Sequence, residues 1–179
     1  NLAHYITGLE IKEMCADLKS ILGRPLDNDG NILLHLEKDV CGILYASQFS
    51  AGDENNLRIR VYGTKGALEW HQEDPNDLWF RTNDGPAQLY RRGNGYLCEA
   101  AQRATRLPPG HPEAFLEAFA NIYVNATDTI RARLLGNEPT ALESDFATVL
   151  DGARGMAFIE SAVESSKSDQ KWYAMKSYQ

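Results

Sequence analysis

From Met14 to Tyr90 the chain alternates apolar and polar positions with a period of two, the pattern of strands that bury one face. Met14, Ala16 and Leu18 carry the first run, and Ile32, Leu34 and Leu36 the second. Cys41, Ile43, Tyr45, Ser47 and Phe49 carry the third. Leu57, Ile59 and Val61 then alternate with Arg58, Arg60 and Tyr62, and shorter runs follow at Leu68 and Trp70, Trp79 and Phe80, and Leu89 and Tyr90. The links are short and turn-rich, as at 27–30, 37–39, 74–76 and 83–86. Such links join antiparallel neighbours, because a parallel crossover needs about a dozen residues or more. The pattern predicts roughly six or seven strands in one large, mostly antiparallel meander.

At His111 the period changes to that of a helix. Phe115, Leu116, Phe119, Ile122, Tyr123, Ala126, Ile130 and Leu134 fall on one side of a long helix. Pro112 suits its first turn, Glu113 its positive end and Gly136 its stop. A second helix is expected from Thr148, with Asp151 in the reciprocal capping position and Ala153, Met156, Ile159 and Val163 as its buried stripe. Lys171 to Met175 is read as a last short strand or a packed tail. At the other end, Asn1 to Gly8 reads as the closing turns of a helix stopped by Gly8. A helix that short does not hold itself together in water, so the chain is expected to be cut from something larger. Residues 1–179 are thus expected to form one α+β domain: a large open, mostly antiparallel sheet with helices packed on one face. The other face, with Arg58, Arg60, Tyr62 and His71 or Gln72 among its candidates, is available for oligomerisation.

Composition narrows the function. Apolar residues make up 43% and charged residues 24%, which is globular rather than disordered. A net charge of -7 argues against a nucleic-acid backbone or an anionic membrane as partner. No apolar run reaches the roughly 18 residues of a membrane-spanning helix. Cys15, Cys41 and Cys98 are odd in number and far apart, with no CxxC pair, which suggests a reducing compartment and a cytoplasmic protein. His4, His35, His71 and His111 never fall at a metal-ligand spacing, so no metal is expected.

His111 is the best single candidate for chemistry. Pro108, Pro109 and Pro112 flank it and hold it at low entropic cost, beside an expected helix N-terminus that favours oxygen-rich groups. Arg92 to Tyr96 forms a polar, glycine-bearing loop ahead of Arg103 and Arg106 that can close over a polar ligand. It is not a dinucleotide fingerprint: the third glycine is missing and no strand–helix unit surrounds it. No GxSxG elbow is present either, which leaves a standalone hydrolase without a nucleophile.

Several segments acquire meaning as an ordered set: Gly63 to Trp70, Glu73 to Leu78, Pro109 to Tyr123 and Asp151 to Glu160. Together they resemble the C-terminal domain of the glucose-fructose oxidoreductase, inositol dehydrogenase and rhizopine-catabolism (Gfo/Idh/MocA) oxidoreductase family. The resemblance implies a two-domain parent enzyme. Its N-terminal domain, absent here, would bind NAD or NADP, and the present domain would supply a substrate wall and an assembly sheet. Such enzymes transfer hydride to or from a sugar, inositol or related polyol, and are expected to be homo-oligomers. The fragment alone is then expected to be inactive, with no cofactor-binding or catalytic residue of its own. His111 matches a histidine at the edge of the family's substrate pocket, and Arg106 and Tyr96 are placed by the same resemblance at a pocket rim. Ala114 departs from the glycine that many relatives carry. The competing reading is a non-catalytic oligomerisation or carbohydrate-binding module.

Overall fold

A computed structural model describes residues 1–176. The chain divides into two compact units, Asn1–Gly52 with the residues from Ala147 onward, and Asp53–Phe146.

In the first unit, helix α1 (Leu2–Thr7) ends at Gly8, whose left-handed conformation (φ 66°, ψ 13°) costs a glycine nothing. Strands β1 (Ile11–Lys19), β2 (Asp29–Leu36) and β3 (Cys41–Ser47) follow. Later in the chain come helix α4 (Val149–Lys167) and the short strand β8 (Tyr173–Ala174), which answers the alternatives left open for 171–175 in favour of a strand. These strands form an antiparallel sheet in the order β3-β2-β1-β8. Met14 lies opposite Leu34 and Ala16 opposite Ile32, so the predicted apolar positions share a face. Met14, Ile32, Leu34, Leu36 and Ala162 of α4 make the core.

The third strand turns the other way from its sequence pattern. Ile32 pairs with Leu44 and Leu34 with Gly42, and residues paired across a sheet share a face. Leu44 therefore joins the core, while Ile43 and Tyr45 stand exposed on the far face with Leu33. Both parities of β3 carry apolar residues, and only the register against β2 chooses between them.

Helix α4 starts as expected: Thr148 Oγ1 accepts from the Asp151 N–H, and the Asp151 carboxylate accepts from the Thr148 N–H. Its buried stripe does not follow expectation. Met156 and Ile159 are exposed, and the face against the sheet is Ala157, Ser161, Ala162 and Ser165. Small residues let the helix backbone lie close to β1. Ser165 Oγ accepts from the Ala16 N–H (3.1 Å) and Ser166 Oγ from the Leu18 N–H (3.0 Å). Those two strand donors lie beyond the residues that β8 pairs, so the helix serines satisfy them.

The second unit is a four-strand antiparallel meander, β4 (Arg58–Gly63), β5 (Gly66–His71), β6 (Asp77–Arg81) and β7 (Gln88–Arg91), in sequential order. Helices α2 (Glu99–Arg103) and α3 (Phe115–Leu134) follow. The α+β class and the open antiparallel sheets match expectation. The described strands divide into two four-stranded sheets where one large meander was predicted.

Helix α3 begins later than its sequence suggests, at Phe115 with Ala114 as N-cap. Pro112 and Glu113 lie outside it. The acid at its positive end is Glu117, whose carboxylate accepts from the Ala114 N–H (2.9 Å). The helix is held to α2 and to the segment that follows α3 by side chains: Arg103 donates to Asp128 (2.8 Å), Asn125 to the Asp145 carbonyl (3.0 Å), and Thr129 to the Glu143 carbonyl (2.8 Å).

Candidate functional site

His111, Arg106 and Tyr96 all lie in the second unit, in the segment between β7 and α3. Arg106 and His111 share one loop. That loop owes its shape to one turn, in which the His111 N–H donates to the Pro108 carbonyl (3.2 Å) and Gly110 adopts φ 84°. His111 presents an exposed imidazole whose only intramolecular polar neighbour among the described contacts is the Pro109 carbonyl, 3.4 Å from Nδ1. The ring is thus available to an outside hydroxyl.

The other two candidates are more committed. Arg106 Nη1 donates to the Glu117 carbonyl (3.0 Å), which turns its guanidinium along the start of α3. Tyr96 Oη accepts from the Arg91 N–H (3.0 Å), and its ring packs edge-on against Tyr90 with centroids 5.6 Å apart. Both serve the fold with the groups that were expected to face a ligand, although each retains exposed surface.

What ties the segment together is a set of residues that the sequence marked only separately and never as one site. Arg92 donates from Nε to Asn76 Oδ1 (2.8 Å), from Nη1 to the Leu107 carbonyl (2.8 Å), and from Nη2 to the carbonyls of Pro108 (3.4 Å) and His111. Its Nη1 also lies 3.5 Å from the Glu113 carboxylate. Glu113 is buried. Its Oε1 accepts from the backbone N–H groups of Arg106 (2.6 Å) and Leu107, and its own N–H donates to Asn76 Oδ1 (3.0 Å). Asn76 therefore accepts from both members of the ion pair. Gly93, next in sequence, passes so close beneath the loop that an added Cβ would sit 3.2 Å from the Pro109 nitrogen. These partners are far apart in the chain, and only the fold brings them together. The sequence signals that could have found them were the resembling segments that carry Asn76 and Glu113 and the glycine-bearing loop that opens with Arg92.

Electrostatics around the site come from cations and helix donors. The Glu117 carboxyl is held below the ordinary carboxylate range, first by the Ala114 N–H, then by its own backbone N–H, with Arg106 and Arg92 adding attraction. A second cluster lies on the meander. Glu69 accepts from His71 Nε2 (2.9 Å) and Arg81 Nη1 (2.8 Å), with Arg60 Nε at 3.9 Å. The His71 hydrogen bond, then Arg81 and Arg60, lower its carboxyl against the opposing effect of burial. Arg58 stands opposite His71 and Arg60 opposite Glu69, so the expected polar face of this sheet is present, with Glu69 at its centre.

No described helix is long and apolar enough to cross a membrane. No group of three or more potential metal ligands occurs among the described residues.

Comparison with known proteins places this geometry. A family model described as the GFO/IDH/MocA C-terminal domain matches residues 1–69. An oxidoreductase from Sinorhizobium meliloti is 43% identical, with a TM-score of 0.88, over 96% of this chain and 48% of its own. An inositol dehydrogenase homolog from Azotobacter vinelandii, solved with NADH and myo-inositol, is 30% identical, with a TM-score of 0.84, over 96% of this chain and 46% of its own. An uncharacterized oxidoreductase of Bacillus subtilis, YfiI, is 31% identical over 94% of this chain and 43% of its own length. The chain thus spans about half the length of these relatives. Fold and comparisons define an open-sheet α+β domain of the kind found in oxidoreductases. Residues 1–69 match the C-terminal-domain model of the GFO/IDH/MocA family, and the chain as a whole is similar to about half of each of these oxidoreductases.

Proposed function

We propose that this chain, residues 1–179, is the substrate-binding and assembly domain of a longer NAD(P)-dependent oxidoreductase that acts on a sugar, inositol or related polyol by hydride transfer. The observation that carries the reading is the 43% identity with an oxidoreductase across 96% of this chain but only half of that one. The inositol dehydrogenase homolog bound to NADH and myo-inositol supports the substrate class.

The residues described here do not fit the nucleotide. Every ladder is antiparallel, so the βαβ unit that cradles a pyrophosphate is not built. The cofactor would be held by an N-terminal domain of the longer protein. When bound, a nicotinamide supplies the hydride acceptor or donor. This chain's part is to bind and orient the substrate. The His111 imidazole is assigned a hydrogen bond to a substrate hydroxyl. Arg106 and Tyr96 are assigned to the rim, through exposed surface rather than through the polar atoms that the fold already uses.

Homo-oligomerisation through an open sheet face belongs to the same reading, and the exposed Leu33, Ile43 and Tyr45 support it. A cytoplasmic location is supported by the three free cysteines.

His111→Gln in the longer protein tests the site. Loss of one hydrogen bond to an uncharged hydroxyl is expected to raise KM for the polyol about tenfold, with nucleotide affinity unchanged. Unchanged KM across a panel of polyols that the parent enzyme turns over would remove His111 from the site.

A further inference from the structure

We propose that Arg92 is the positioning residue of this site: its guanidinium fixes the 107–111 loop and thereby the direction in which the His111 imidazole points. The proposal rests on the reading of His111 as a substrate-facing group, and it gives a specific task to Arg92, which the sequence marked only as the start of a polar loop.

The geometry is specific to a guanidinium. One planar fork reaches the Asn76 side chain through Nε, the Leu107 carbonyl through Nη1, and the Pro108 and His111 carbonyls through Nη2. A loop bonded at three of its carbonyls to a single rigid plane cannot rotate as a unit without breaking several bonds together. The bond to the His111 carbonyl is the one that matters for chemistry. It fixes the peptide plane next to the imidazole, and the flanking prolines restrict the dihedrals on either side. The imidazole itself is exposed and has only a long contact to the Pro109 carbonyl, so the backbone must supply its orientation.

Arg92 is itself held in place. Its side chain is only 16% exposed, and the Glu113 carboxylate, 5% exposed, lies 3.5 Å from Nη1. That carboxylate also accepts from the Arg106 and Leu107 N–H groups. Glu113 thus ties the beginning of the loop to the cation that holds its end. Asn76 closes the set by accepting from Arg92 and from the Glu113 backbone. Gly93 lets the β7 end approach close enough for the fork to reach, since a Cβ there would press on the Pro109 nitrogen at 3.2 Å.

Lysine at this position keeps the charge and much of the stem. It presents a point charge with no planar fork and cannot serve four acceptors at once. Arg92→Lys therefore separates charge from geometry. The experiment follows the four histidine rings of the full chain by NMR with ring-labelled histidine, His111 being assigned by its loss in His111→Gln. In Arg92→Lys, and independently in Glu113→Gln, the His111 signal is expected to shift or split while His4, His35 and His71 keep their positions. An unmoved His111 signal in both variants overturns the proposal. Equal displacement of all four rings also overturns it, because that marks a general structural role. Should one variant fail to fold, the other decides alone; should both unfold, Asn76→Asp, which keeps shape and an acceptor oxygen, is read in the same way.

In the longer protein, with myo-inositol as first probe, Arg92→Lys is expected to lower kcat/KM about tenfold, the loss expected for one disturbed charge-assisted hydrogen bond. The functional reading fails separately: if His111→Gln leaves polyol kinetics unchanged while the Arg92→Lys shift at His111 is seen, the positioning device stands and the role of His111 falls.

Discussion

Glu69 shows how a single residue makes a surface depend on pH. Two arginines and the His71 ring share one carboxylate that is mostly screened from water. Its proton affinity in the folded chain is below the ordinary value of 4.5. A group lowered in this way adds stability above its unfolded pKa, and the contribution disappears as pH falls through the folded one. Thermal unfolding of the native chain is therefore expected to move to lower temperature as pH drops below 4.5. Glu69→Gln should unfold at lower temperature near neutrality and show a shallower acid slope. An acid slope identical in both proteins would mean that Glu69 is not part of this dependence. The same scale governs the proposed site, where the Arg92 and Glu113 side chains are largely hidden and the His111 imidazole is exposed.

Among the elements, α4 separates what is local from what is not. Its cap was legible because Thr148 and Asp151 lie three residues apart and need only each other. Thr148→Ala is expected to cost about 1 kcal/mol in urea unfolding with an unchanged slope, the usual loss for a cap; no change would show that the Asp151 carboxylate suffices alone. The buried stripe was not legible, because Met156 and Ile159 outweigh small serines and alanines in any hydrophobicity pattern. Packing chose the small face because β1 needed donors satisfied at Ala16 and Leu18. The inversion of β3 has the same character: its partner's register set the face, and its own residues did not. At the site, the proline-flanked His111 could be picked out locally. Arg92, Asn76 and Glu113 could not be joined into one cluster, since the contacts among the three span 16 to 37 positions.

On the scale of the whole molecule, the exposed surface exceeds what a chain of this mass ordinarily shows. A compact chain of this mass exposes about 8,700 Å², and even two separate bodies of half the mass expose about 10,500 Å². This chain exposes 12924 Å². The excess includes large apolar side chains on both units, Ile43 and Tyr45 on one and Leu116 and Leu134 on the other. Surface of that kind is ordinarily covered by further protein. The relatives are about twice as long, which fits the proposal that this chain works beside a further domain.

Nicotinamide nucleotide binding tests that division of labour most directly. Calorimetric titration of NADH and NADPH into the longer protein and into the present chain, each at the same concentration, should give saturable binding of at least one nucleotide to the longer protein and none to the chain. Tight binding by the chain alone, or no binding of either nucleotide by the longer protein, would contradict the account.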